Sequence, residues 1–123
     1  MKKFESINNI QPQQNVWLVF INNKNSVEDI LSAEVLGIED FFEYTFYCLD
    51  IQELSFDKKY VHFQSYFYKE VDKDTNFVTN INPCGYSGQM FKTREEANEF
   101  AKLLEEENYK EKMEYIQQII NEQ

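Results

Sequence analysis

The sequence predicts a single α+β domain, with an antiparallel sheet of about four or five strands, a short helix after the first strand, and a C-terminal helix or helix pair packed on the sheet. Three observations lead there. β-Branched and aromatic residues gather in short runs separated by polar turns. Two stretches instead space their apolar residues at the helical period. The chain has 123 residues, enough for one hydrophobic core and not for two.

Residues 1–14, "MKKFESINNIQPQQ", read as a polar, frayed lead-in, and 15–123 as the domain. "NVWLVFIN" (15–22) is too short for a helix and is expected to be the first strand, with "NNKN" (22–25) as a turn. "SVEDILSAEVLG" (26–37) predicts the short helix. Ser26 and Asp29 have capping-box spacing, Val27, Ile30, Leu31 and Val35 form a helical stripe, and Gly37 suits the position past a helix end. "FFEYTFYCLDI" (41–51) and "KKYVHFQSYFYKEV" (58–71) are the second and third strands. Side chains alternate sides along a strand. In the third strand this puts Val61, Phe63, Phe67 and Val71 on one face, and Tyr60, His62, Tyr66 and Tyr68 on the other. That second face is either a buried layer or an exposed contact surface.

"DKDTN" (72–76) turns the chain into "FVTNI" (77–81), "NPCGYSG" (82–88) is a loop, and "QMFK" (89–92) is a short fifth strand. A helix then starts at a capping box, Thr93 to Glu96, with Ala97, Phe100, Ala101 and Leu104 facing inward. A second stripe, Tyr109, Met113, Ile116 and Ile120, is rotated by roughly a third of a turn at 3.6 residues per turn. Either the helix breaks near Asn108 or one long helix serves two surfaces.

Charge narrows the function. Twelve basic residues against 22 acidic ones leave a net −10, which disfavours direct contact with nucleic acid or anionic membranes. No apolar run follows the first lysines and no stretch has the length of a membrane-spanning helix, so neither a secretory signal nor a membrane span is expected. Cys48 and Cys84 read as reduced thiols, and the expected location is cytoplasmic.

Catalytic patterns are missing. One histidine and two distant cysteines predict no metal site, and "DKDTN" lacks the glycine and glutamate of a calcium loop. "GYSG" is one residue short of a nucleophile elbow, and three glycines make no phosphate loop. A Cys84–His62 dyad has no third group to orient it. The carboxylate runs fit solvated helix faces, with Glu95 and Glu96 suited to a helix N-terminus. The expectation is a protein without cofactor that is not an enzyme.

What remains is "GIEDFFEYTFYCLDIQELSFD" (37–57), where acids interleave with rings. Such a surface could enter a basic groove, carboxylates replacing phosphates and rings replacing bases. Glu39, Asp40, Glu43 and Asp50 are the candidate contacts, with Glu105, Glu106 and Glu107 as a second patch and Tyr66 and Tyr68 as anchors. The expected partner is a basic, nucleic-acid-handling protein. Two rival readings stand beside it: a homodimer through Met113, Ile116, Ile119 and Ile120, and a small-ligand or enzyme pocket lined by Tyr60, His62, Tyr66 and Cys84.

In size, acidity and lack of a catalytic motif the chain resembles the small inhibitors encoded by phages and mobile elements, such as anti-CRISPR and anti-restriction proteins. Its Asn/Lys/Ile/Glu-rich wording also resembles proteins of AT-rich, low-GC bacteria and their phages. The resemblance is one of type over the whole chain. It implies a stoichiometric protein-binding role, often the blocking of a nuclease's DNA or guide-RNA channel.

Overall fold

A computed structural model describes residues 4–81 and 87–122. It contains six antiparallel strands: β1 (Asn15–Ile21), β2 (Val27–Phe41), β3 (Tyr44–Leu54), β4 (Tyr60–Glu70), β5 (Phe77–Asn80) and β6 (Ser87–Phe91). They pair in chain order, and β6 pairs back onto β1, so the sheet closes into a barrel. A single helix, α1 (Arg94–Asn121), follows.

This overturns the open sheet of four or five strands, and one segment accounts for the error. Residues 27–37 are the first part of β2 and not a helix. Leu31, Ala33 and Val35 alternate into the barrel, while Ile30 is partly buried on the outside in the cluster beneath α1. Burial on both faces mixes the two-residue period with an outward apolar position, and the result imitates a helical stripe. The supposed cap is a hairpin turn: the Ser26 N–H donates to Asn22 Oδ1 at 3.0 Å, and Asp29 takes the N–H of Ile30 at 2.8 Å. Gly37 sits at a bulge where the β2–β3 register shifts. Counting this segment as a strand supplies the wall between β1 and β3 that closure requires.

The interior follows from alternation. Val16 and Leu18, Ala33 and Val35, Tyr47, Leu49 and Ile51, Phe67, Val78 and Met90 fill it from the six strands. The residues before β1 are not frayed where they are described. A 3₁₀ turn at Ile7–Asn9, capped by Ser6, buries Ile7 and Ile10 in the core at one end of the barrel. Asn76 ties that segment down, its Nδ2 donating to the carbonyls of Glu5 (3.1 Å) and Met90 (2.7 Å).

α1 is one unbroken helix of 28 residues. Thr93 Oγ1 accepts the Glu96 N–H at 3.1 Å, as the capping box predicts, while Glu96 Oε2 accepts from Glu5 N at 2.8 Å. Ala97 and Ala101 are small enough to bring the helix close to Val19 and Phe91 on the outer wall. Phe4, Phe91 and Phe100 stack around them, with centroids 5.1 Å apart for Phe4–Phe91 and 5.2 Å for Phe91–Phe100. Beyond Asn108, which donates to the Asn25 carbonyl at 2.7 Å, every described residue of the helix is exposed. No helix among the described residues is long and apolar enough to cross a membrane.

Candidate functional site

The register of β2, β3 and β4 decides which side chains meet outside the barrel. Phe41 pairs with Tyr44, and Tyr44 with Glu70. Successive rows toward the other end are Glu39–Phe46–Tyr68, Gly37–Cys48–Tyr66, Glu34–Asp50–Gln64 and Ser32–Gln52–His62. Strands lie about 4.8 Å apart and same-face residues about 6.7 Å apart along each strand, so these groups form a dense lattice. Thr45, Tyr47, Leu49 and Ile51 take the alternate positions inside.

Rings and carboxylates interleave across this lattice. Tyr68 lies 5.4 Å from Tyr44 and 5.9 Å from Phe46, centroid to centroid. Cys48, a free thiol, faces Tyr66, and hydrogen bonding to Cys48, followed by the electrostatic influence of the same group, raises the phenol's pKa. His62 Nδ1 pairs with Asp50 Oδ2 at 3.3 Å. The Tyr60, His62, Tyr66 and Tyr68 side of β4 is therefore the outer face and not a second core layer.

At one end the lattice runs onto the β2–β3 hairpin. Its two-residue turn, Phe42–Glu43, carries Phe42 at φ 54°, a left-handed conformation that bulky residues seldom adopt. The ring is 83% exposed, and Phe41 stacks edge-on against it at 4.4 Å. Glu39 and Glu43 flank the two rings in sequence.

The predicted contacts divide into three groups. Glu39, Asp50, Tyr66 and Tyr68 share the outer face, and Glu43 stands at its tip. Asp40 has inward parity: its Oδ1 accepts from Thr45 Oγ1 at 2.7 Å, and its charge acts on Tyr47 and Lys69. Glu105, Glu106 and Glu107 ride on α1, which packs against β1, β2 and β6, on the other side of the barrel from β3–β4. Glu105 accepts the Val27 N–H at 3.1 Å.

The predicted Tyr/His pocket does not assemble from the described residues. Tyr60 lines a groove between β2 and β3, whereas His62 is held by Asp50 and Tyr66 by Cys48; Cys84 lies outside the described residues. No group of three or more potential metal ligands occurs among the described residues. Sequence reasoning missed Phe41, Phe42, Tyr44, Phe46 and Glu34. The alternation in "YTFYCLDI" was there to separate Tyr44 and Phe46 from the core, but the turn at Phe42 has none of the usual turn residues to fix its start. Comparison with known protein families, with curated proteins and with solved structures found no match.

Proposed function

We propose that this chain is a non-enzymatic, acidic binding protein that docks its β2–β3–β4 outer face into a basic surface of a nucleic-acid-handling protein and blocks it. One observation carries the reading: exposed rings at Phe41 and Tyr66 lie on one face with Glu34, Glu39 and Asp50, and exposed Phe42 stacks on Phe41 at its hairpin tip. Exposed aromatics in such density mark contact surfaces, since rings bury much area at little entropic cost. Carboxylates fixed on a rigid sheet attract a basic groove and steer encounter without losing side-chain order. The free thiol of Cys48 is in keeping with a reducing, cytoplasmic setting.

The test compares the parent protein with a Glu34→Lys/Glu39→Lys/Asp50→Lys variant as immobilised baits in a nuclease-treated low-GC bacterial lysate. The parent should retain a basic nucleic-acid enzyme, release it as salt rises, and inhibit it at one-to-one stoichiometry. The variant should keep its circular dichroism and bind roughly 100-fold more weakly. Equal retention by both baits would sink the reading.

A second reading rests on the exposed part of α1. Tyr109, Met113, Ile116 and Ile120 recur at spacings of four, three and four, a heptad seam, and all are solvent-facing. Such a seam suits pairing with a second copy of the chain. Light scattering over a concentration series decides it, and a monomer throughout would end it.

A further inference from the structure

The two ends of the barrel differ. One is filled by Ile7 and Ile10. At the other, the β2–β3 ladder stops at Ser32–Gln52, while β2 continues beside β1 and β3 continues beside β4. The wall splits there, and a cavity of ≈ 370 Å³ opens inside the mouth. Barrel mouths are common ligand sites, and pockets for small molecules usually span about 300–1,000 Å³.

Its lining is amphipathic in an ordered way. Phe20, Leu31, Phe63 and Phe67 give it aromatic and aliphatic walls, with Phe67 fully buried at depth. Asn80 Nδ2 donates to Ser65 Oγ at 2.7 Å on one side. The rim is acidic. Asp29 and Glu53 occupy inward parity, two residues beyond Leu31 and Ile51 respectively, where a barrel strand ordinarily places an apolar residue. Glu28 joins them because the β1–β2 register shifts beside it. None of the three has an ion-pair partner among the described residues. Asp29 and Glu53 also border the adjoining groove, which Arg94 shares, its guanidinium 5.4 Å from the centroid of the Trp17 ring.

From this we infer that the mouth binds an organic monocation with a short apolar body, an arylalkyl or alkyl ammonium group. The apolar part fills the space among Phe20, Leu31, Phe63 and Phe67, and the ammonium stays at the rim between Asp29 and Glu53. Rings beside the cation add attraction through their electron-rich faces. An anion of the same shape meets like charge. This site is separate from the β3–β4 outer face and stands or falls without it.

The experiment is a nuclear magnetic resonance titration of the full chain with 2-phenylethylamine, 2-phenylethanol and 3-phenylpropionate at pH 7. The amine should bind saturably, with shifts centred on Leu31, Phe63 and Ser65, and at least about tenfold more tightly than the carboxylate. Asp29→Asn/Glu53→Gln should weaken the amine by roughly tenfold and leave the alcohol unchanged. A Glu111→Gln/Glu114→Gln variant, which removes the same charge from the far part of α1, should bind the amine like the parent. No saturable amine binding, equal binding of amine and carboxylate, or equal weakening in both variants would each overturn the inference.

Discussion

At the scale of single residues, the filled end of the barrel holds two groups with opposite responses to pH. Tyr47 is fully buried, and burial, followed by the charge of Asp40, pushes its pKa up to about 12 from 10.0. Lys69 is buried with its Nζ donating to the carbonyls of Glu70 and Lys73, each at 3.2 Å. Burial lowers its pKa, while Asp72, Asp40 and Asp74 partly hold it up. In the window just below 10.5 the unfolded lysine binds more proton than the folded one, so stability gains with pH. Between about 10 and 12 the unfolded tyrosine gives up its proton first, so stability falls. Tyr47→Phe should make that alkaline decline shallower by up to about 1.4 kcal/mol per pH unit, read from urea unfolding at stepped pH. Phe42 is a residue whose environment argues against its identity. Glycine suits φ 54° better, so Phe42→Gly should raise stability by about 1 kcal/mol while weakening partner capture. A variant that loses both stability and binding would show that the ring is held for packing.

At the scale of elements, α1 is two things in one rod. Its first half is covered by the barrel wall, and the half beyond Asn108 has no cover among the described residues. A helical segment of about a dozen residues is marginal in water without packing. Amide exchange should therefore be slow at Ala97–Ala101 and fast from Tyr109 onward in dilute solution. Removing residues 109–123 should shift the melting temperature little and abolish any self-association. If the deletion unfolds the barrel, the outer half of the helix contributes to the fold in a way its exposure does not suggest.

The same scale explains what could be read in advance. The five predicted strands all exist; four carry a run of β-branched and aromatic residues with turn formers nearby, and the fifth, at Ser87–Phe91, has only Met90 and Phe91 to mark it. The helix start at Thr93 was legible because capping is a local matter. β2 was illegible because its outer face lies under α1, a long-range fact that erased the two-residue rhythm at Ile30. The site was half legible for a related reason. Tyr66 and Tyr68 could be assigned to one side of β4 by parity alone, but joining them to Glu39 and Asp50 required the ladder register, and no local signal carries that.

At the scale of the whole molecule, the net −10 acts against compactness. Added salt screens that repulsion, so raising sodium chloride from 10 mM to 150 mM should lift the melting temperature by roughly 2–5 °C. Salt also favours contact between two acidic copies, and a dilution series separates the two effects, because only association depends on protein concentration. A melting temperature that falls with salt would mean that attractive surface pairs such as Lys92–Glu5, at 3.0 Å, outweigh the repulsion.

The barrel closes between its first strand and its last, and α1 lies across that join, touching β1, β2 and β6. Gly88 lets the two strands meet closely there: a Cβ at this position would stand 3.0 Å from the Val19 carbonyl oxygen. Assembly therefore has an order written into it. Five strands can zip as successive hairpins, but the interior stays open to water until β6 crosses back over some seventy residues of chain and pays the loop entropy of that long reach. The helix that follows is the latch on that door, and opening the barrel along this join begins with lifting Ala97 and Ala101 away from Val19 and Phe91.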